Sequence, residues 1–479
     1  MRLDRLIDEA GLRSLNLLRQ VVGSPDVEVG SLTMDSRRVE LGSMFACVPG
    51  SAVDGHAFAA AAVTDGAVAL LCERVVDVAV PQIVVTSVRR ALGPVADTVY
   101  DHPSRKLTVA AVTGTNGKTT TCALLRSVFD ANGWRAMTVG TLTQRRTTPE
   151  APELHSLLAD WHRAGGRAAA MEVSSHALEQ HRTDSVRFAA GVFTNLTPEH
   201  LDYHRTMDAY FEAKARLFEP GRVGVAVVNR DDPWGRRLIE RIGAGPDRVV
   251  TYGLDDAGEL TLTAAGSRFR WAGQDVALKV GGEFNVYNAL AAATCAAALG
   301  VDPATAAAGL SAVESVPGRF QLVDAGQPFT VIVDSAHTPD GLSKVLSAAR
   351  GICEGRLIVV FGAGGDRDRE KRPLMGQAAS TGADLVVVTS DNPRSEDPDA
   401  IVAEIVAGAG DSSNVIVDPD RASAIGTALA NARAGDVVVI AGKGHEKGQE
   451  IGGRTLPFDD AEVARSTLNR IRSSRGEDQ

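Results

Sequence analysis

Residues 107–120, LTVAAVTGTNGKTT, constrain this chain more than any other stretch. The apolar, β-branched run 107–112 breaks into Gly114, Asn116 and Gly117 and then reaches Lys118, Thr119 and Thr120. Behind it Cys122, Leu124, Leu125, Val128 and Phe129 recur at helical spacing. Strand, glycine loop, Lys-Thr and helix is the order a phosphate cradle requires. Glycines let backbone N–H groups approach phosphate oxygens, and a helix N-terminus adds partial positive charge. The lysine can reach β- and γ-phosphates, and the next hydroxyl can ligate Mg²⁺. The first glycine of the usual loop would fall at Val112, so this is a shortened variant. A turn opening an ordinary helix is the alternative. With all four parts in place, the stretch is read as an ATP site.

At 479 residues, about three domains are expected at the usual ~100–200 residues each. A net charge of −10 argues against a nonspecific nucleic-acid binder. The five cysteines (Cys47, Cys72, Cys122, Cys295, Cys353) are dispersed, without a CxxC or histidines at zinc spacing, which fits reduced thiols in a cytoplasmic setting. No window approaches the ~20 apolar residues of a membrane span, and the N-terminus lacks a leader pattern, so no membrane association is expected. Residues 473–479 read as a disordered tail.

Strands alternate with helices from about residue 103 onward, which implies α/β architecture with largely parallel sheets. In such sheets ligands gather beyond the carboxyl ends of the strands. Residues 168–173 form a strand running into Ser174, Ser175 and His176, and 189–193 form another running into TNLTPEHLDYH. A helix over 207–218 carries Lys214, and Thr147-Thr148-Pro149-Glu150 opens a helix with its proline near the start. Glu172 and His200 are candidate Mg²⁺ ligands, because hard divalent ions favour oxygen donors and phosphoryl transfer needs its charge neutralised. Taken alone, a strand-end Glu or a loop His is more often a capping or hydrogen-bonding residue. Asn285 and Asn288, three apart before an alanine-rich run, share a helix face and can read a base edge, with helix capping the alternative for Asn285. Past a hinge at VPGRF (316–320), four further strands end in DSAH, GAGGDRDR, SDNPR and AGKGHE. Four such ends on one sheet rim favour a site over four separate solvated loops.

Together these sequences resemble the Mur ligases, ATP-dependent amide-forming enzymes of peptidoglycan precursor synthesis, over nearly the whole chain. The carriers are GTNGKTT, EVSSHAL, NLTPEHLDYH, the EAK of Lys214, GEFNVYNALAA, GGDRD, DNPR and GKGHE. The resemblance implies three α/β domains: a small UDP-binding domain (1–102), a central P-loop-type ATPase domain with a parallel sheet (103–318), and a Rossmann-like amino-acid-binding domain (319–479). It implies that Met34, Ser36, Ser51, Ala52 and Val53 hold the UDP end of a UDP-N-acetylmuramoyl dipeptide. Thr147, Thr148, Ser174, Gln180 and Arg182 would hold its peptidyl part. Gly114, Thr115, Asn116, Gly117, Lys118, Thr119 and Thr120 would hold ATP phosphates, with Asn288, Arg319 and Asp334 at adenine, phosphate and ribose. Thr119 and Glu172 would share one Mg²⁺, with Glu172 and His200 near a second. Lys214 matches the lysine that the family carbamylates, a change that converts a cation into an anionic oxygen donor.

Arg367, Asp391, Asn392, Pro393, Arg394, Gly442 and Glu446 would contact the incoming amino acid. DNPR resembles the version associated with meso-diaminopimelate rather than lysine. A planar guanidinium forking onto the extra distal carboxylate is what that discrimination requires. A monomer acting on small molecules, without nucleic acid or membrane, is expected. Alternatives are a related ligase using lysine, a folylpolyglutamate synthetase-like enzyme, or a noncatalytic nucleotide sensor. Three features depart from the family pattern: the loop 140–146 is short, Arg146 replaces an asparagine, and Ser335 replaces an aromatic residue.

Overall fold

The computed structural model describes residues 1–50, 53–243, 248–263, 265–410 and 414–476. Its three α/β bodies follow one another along the chain. The first carries a five-stranded sheet in the order Leu18–Val22, Gln82–Val85, Ala67–Cys72, Ser43–Ala46, Ser31–Thr33, parallel except at the Leu18–Val22 edge. Ser51 and Ala52 lie outside the described residues.

The second body is built on six parallel strands in the order Arg248–Tyr252, Val223–Asn229, Phe188–Phe193, Thr108–Thr113, Ala168–Glu172, Ala136–Val139. Both faces are covered, so the interior of the central strand, 109–112, is apolar throughout. Its alternate residues feed two different cores: Ala110 and Val112 join one, Val109 and Ala111 the other. The chain leaves Thr108–Thr113 for strands on one side and returns on the other at Phe188–Phe193. The glycine loop therefore opens at the point where strand order reverses, the usual ligand crevice of such sheets. The alanine-rich helix Glu283–Ala298 packs against Lys118–Ala131, its small side chains allowing close approach beneath the loop. A three-stranded antiparallel sheet, Gly258–Thr263, Gly266–Trp271 and Gln274–Leu278, closes over the same core.

The third body orders its six strands Gln321–Leu322, Thr330–Asp334, Val437–Ala441, Leu357–Phe361, Leu385–Val388, Val415–Val417, with only the short first strand antiparallel. A separate hairpin, Gly448–Ile451 with Arg454–Pro457, follows.

Two expectations are corrected. The helix after Thr147-Thr148 is Ala151–Arg163, with Glu150 still extended (ψ 154°) and Pro152, not Pro149, in its first turn. The tail is helical as far as Gly476, continuing Asp460–Gly476, with residues 477–479 outside the described set. Burial of Ala461, Ala464 and Leu468 anchors that helix, and propagation from an anchored turn costs little even for polar residues.

Candidate active site

Gly114 and Gly117 shape the loop by what they lack. Gly117 has φ +87°, and a Cβ there would lie 2.2 Å from Asn288 Oδ1. At Gly114 (φ +148°) a Cβ would lie 1.9 Å from Thr194 Oγ1. Lys118 folds back, its Nζ donating to the Gly114 and Thr115 carbonyls at 2.8 and 2.7 Å. Asn116 N–H donates to Asn195 Oδ1 at 2.9 Å, and Thr115 is tied to the Thr197 backbone. The TNLTPEH segment thus braces the loop from the neighbouring strand end.

The strand-end Glu172 is 2% exposed, and it joins the glycine loop to the Gly140–Thr141 turn. It accepts from Thr119 Oγ1 at 3.0 Å, Thr141 N–H at 2.8 Å and Thr141 Oγ1 at 3.2 Å. Among the described residues no group of three His, Cys, Asp or Glu side chains is arranged to hold a metal. One carboxylate beside a threonine hydroxyl at a phosphate loop nevertheless fits Mg²⁺, which takes few protein ligands and draws the rest from phosphate and water.

His200 packs against His176 and Tyr210, with ring centroids at 4.8 and 6.3 Å. Burial brings its pKa down to about 4, with Glu199 opposing. Glu199 is held well below the usual carboxylate range: burial works to raise it, but His337, His200 and Lys118 outweigh that. Lys214 is 1% exposed, its Nζ on the Gly114 carbonyl at 2.8 Å and over the Tyr210 ring at 4.6 Å. Burial, reinforced by Lys118, lowers its pKa well below that of an ordinary lysine. The direction favours the neutral amine, the form that combines with CO₂.

The residues expected at the peptidyl part also converge. Thr148 Oγ1 donates to the Glu172 carbonyl at 2.9 Å and lies 3.4 Å from Ser174 Oγ. Thr147 meets Thr141 at 3.2 Å. Arg182 donates to the Thr148 carbonyl at 3.1 Å and to Gln180 Oε1 at 2.6 Å. At their centre sits Glu150, 4% exposed, with Arg89 at 2.5 Å, Arg182 at 3.1 Å and Arg146 at 3.4 Å. Three guanidiniums around one carboxylate leave an excess of positive charge for an anionic substrate group. In the first body Met34 packs at the edge of the core, Ser36 opens a 3₁₀ turn capped by Asp35, and Val53 is exposed.

The third body supplies the far wall. Arg319 Nη2 donates to Thr119 Oγ1 at 3.1 Å, joining hinge to phosphate loop. Asp340 accepts from Asn116 at 3.2 Å and Thr197 at 2.9 Å. Asn288 bonds Asn285 at 2.9 Å, and Asn285 in turn donates to the Gly281 carbonyl. Asp334, expected at ribose, uses both oxygens internally, accepting from Phe320 N–H at 2.7 Å and Ala336 N–H at 2.8 Å. On the same rim Asn392 Nδ2 donates to Glu446 at 2.8 Å, while Lys443 Nζ donates to Asn392 Oδ1 at 2.9 Å and Glu446 at 3.1 Å. Arg394 donates to the Gly365 carbonyl at 2.6 Å and Glu450 at 3.0 Å. Gly442 (φ +114°) leaves room for Asp391, whose Oδ2 would lie 2.5 Å from a Cβ there, and Pro393 lies against Gly365. Arg367 is exposed beside Gly364.

Sequence reasoning missed Glu150, Thr141, Glu199, His337, Asp340, Lys443 and Glu450. Glu199 and Lys443 lay inside quoted motifs and were recoverable. Glu150 and Asp340 carried no spacing signal.

The chain matches three family descriptions: the Mur ligase family catalytic domain over residues 28–101, the Mur ligase middle domain over 112–296, and the Mur ligase glutamate ligase domain over 318–444. It is 46% identical to UDP-N-acetylmuramoyl-L-alanyl-D-glutamate–2,6-diaminopimelate ligase of Gloeobacter violaceus, covering 99% of each chain. The same-named protein of Syntrophomonas wolfei is 44% identical over 93% of this chain and 96% of that one. A solved structure of an identically named ligase superposes with a TM-score of 0.66 at 36% identity, covering 93% of this chain and 95% of that one.

Proposed function

This chain belongs to the Mur ligase family, and from that premise we propose that it joins meso-2,6-diaminopimelate to the D-Glu of UDP-N-acetylmuramoyl-L-alanyl-D-glutamate, with ATP as the activating substrate. The observation that carries the reading is the Arg319–Thr119 hydrogen bond at 3.1 Å. It ties the start of the third body to the phosphate loop of the second, which supports a shared crevice where an activated acid and an incoming amine would meet.

A carboxylate is a poor electrophile, so amide formation begins with its activation. The D-Glu side-chain carboxylate attacks the γ-phosphorus of ATP, the bond to ADP breaks, and an acyl phosphate forms. Loop N–H groups and Lys118, swung from its own carbonyls, stabilise the charge developing on the transferred group. The excess guanidinium charge around Glu150 holds the anionic peptidyl part, with Thr147, Thr148 and Ser174 orienting it. The amine of diaminopimelate then attacks the acyl carbon and inorganic phosphate leaves. Asn392, Glu446 and Arg394 position that amino acid, and closure of the third body excludes water that would hydrolyse the intermediate.

Mg²⁺, held by Thr119 and Glu172 with His200 nearby, would supply charge neutralisation at the phosphates. Lys214 is proposed to carry a carbamate, its neutral amine adding to CO₂ with loss of one proton. Enrichment with ¹³CO₂ should give a carbamate carbon resonance that Lys214→Met abolishes. The protein is also proposed to be a cytoplasmic monomer, in keeping with its five free cysteines.

The test supplies ATP, Mg²⁺ and the UDP-dipeptide with diaminopimelate, lysine or ornithine in parallel. ADP should form in step with a diaminopimelate adduct of the nucleotide. Absence of amino-acid-dependent phosphate release would refute the reading in favour of a nucleotide sensor.

A further inference from the structure

The hairpin strand Gly448–Ile451 is stitched to the Asp391–Arg394 loop residue by residue. Gln449 Nε2 donates to the Asp391 carbonyl at 2.8 Å and Glu450 N–H to Asn392 Oδ1 at 2.9 Å. Arg394 N–H donates to the Glu450 carbonyl at 2.9 Å, and Gly452 N–H to the Arg394 carbonyl at 2.8 Å. These bonds fix the Glu450 backbone against the loop and direct its carboxylate onto the Arg394 guanidinium, Nε to Oε2 at 3.0 Å. The pair is only partly covered, with the arginine side chain 26% and the glutamate 51% exposed.

We propose that Glu450 is a specificity residue of the amino-acid site, taking the distal ammonium of the diamino acid while Arg394 takes the carboxylate on the same carbon. The inference rests on the function proposed above. Its argument is one of charge matching. The distal carbon of 2,6-diaminopimelate bears both an ammonium and a carboxylate, and a guanidinium alone reads half of that centre. Opposite charges held at hydrogen-bond distance on a common backbone scaffold present the complementary dipole. A half-exposed ion pair is a weak tie that an incoming zwitterion can open. The second Arg394 contact, Nη1 to the Gly365 carbonyl at 2.6 Å, keeps the guanidinium in place as it opens. Lysine would engage Glu450 and strip Arg394 of its partner. 2-Aminopimelate would engage Arg394 and strand Glu450.

The experiment compares wild type, Glu450→Gln and Glu450→Asp with diaminopimelate and 2-aminopimelate as acceptors. Glu450→Gln retains the backbone bonds and removes only the charge. Its diaminopimelate KM should rise roughly tenfold, the loss expected of one charge-assisted hydrogen bond. The KM for 2-aminopimelate should stay level or fall, the ATP KM should not move, and Glu450→Asp should recover part of the loss. A diaminopimelate KM that is unchanged or lower in Glu450→Gln overturns the inference, because Glu450 then only competes for Arg394. Equal losses for both acceptors overturn it in favour of a merely structural role. If wild type ligates no acceptor, the proposed function itself has failed and this inference falls with it.

Discussion

Replacing Gly117 with alanine tests whether the glycine loop and the Asn288 helix form one rigid nucleotide platform. At φ +87° an L side chain is strained, at about 1–2 kcal/mol. The new Cβ would also lie 2.2 Å from Asn288 Oδ1, so one of the two must move. Asn288 is not free to yield: its Nδ2 donates to Asn285 Oδ1 at 2.9 Å, and its Oδ1 accepts from Thr121 at 3.4 Å. Displacing it forfeits two hydrogen bonds at about 1 kcal/mol each, for a combined cost of about 3–4 kcal/mol. Against a total stability of about 5–15 kcal/mol the domain still folds. The cost divides between a lowered melting temperature and a distorted loop. ADP affinity by calorimetry and thermal unfolding, measured on the same sample, should therefore fall together. About half the cost appearing in binding would weaken ADP roughly tenfold or more. The remainder would lower Tm by several degrees, at about 2–4 °C per kcal/mol. A Gly117→Ala protein that binds ADP within twofold of wild type with unchanged Tm would refute the platform.

Arg394→Ala should raise the diaminopimelate KM about 10- to 100-fold, the value of a charged hydrogen-bonding partner, while the ATP KM barely changes; steady-state kinetics with each substrate varied checks this. His155 lies wholly buried at the junction of the first two bodies, 3.5 Å from Asp97, and burial brings its pKa down to about 4. The unfolded chain takes up this proton below about pH 6.5 and the folded protein only near 4. Stability is therefore full above 6.5 and falls by about 3 kcal/mol as pH drops through that window. Urea unfolding of His155→Gln should show a shallower acid limb, and an identical slope would contradict the assignment. Arg421 and Asp460 form a fully buried pair that also holds the Ser390 and Ala441 carbonyls. Arg421→Leu strands a buried carboxylate, and a loss of about 3–5 kcal/mol is expected in denaturant unfolding.

The central body was legible because its two patterns are uncompromised: residues 109–112 are apolar at every position, and the run behind the glycine loop is helical. Strand ends were legible for the same reason, since a polar cluster after an apolar run can only sit at the sheet rim. What could not be read was pairing across distance. Glu150 is an ordinary helix-start acid in sequence, and becomes the centre of a basic site only when Arg89 and Arg182 arrive from other elements. Arg146, flagged as a departure, proves to be one more guanidinium on that carboxylate. Asp334 looked like a ligand group at a strand end, yet one oxygen accepts from the hinge N–H of Phe320 and the other from the N–H of Ala336 in its own loop. Local pattern carries no information about which of these competing partners reaches a carboxylate first.

The contacts that close the third body onto the second use groups a nucleotide would also claim. Arg319 holds the Thr119 hydroxyl, Asp340 holds Asn116, and His337 lies 3.7 Å from Glu199. Each is a partly exposed polar contact, a class worth about 0–1 kcal/mol for surface pairs. Their sum is small beside the binding energy of a triphosphate. ATP entering the loop could therefore displace them without unfolding anything, and Arg319, released from Thr119, would then stand beside the phosphates. With nucleotide bound, closure would run through the ligand, held by the loop on one side and Arg319 on the other, in place of these direct contacts. An acceptor site in the third body would thereby be completed against an occupied loop, as the proposed order of acid activation before amine attack requires.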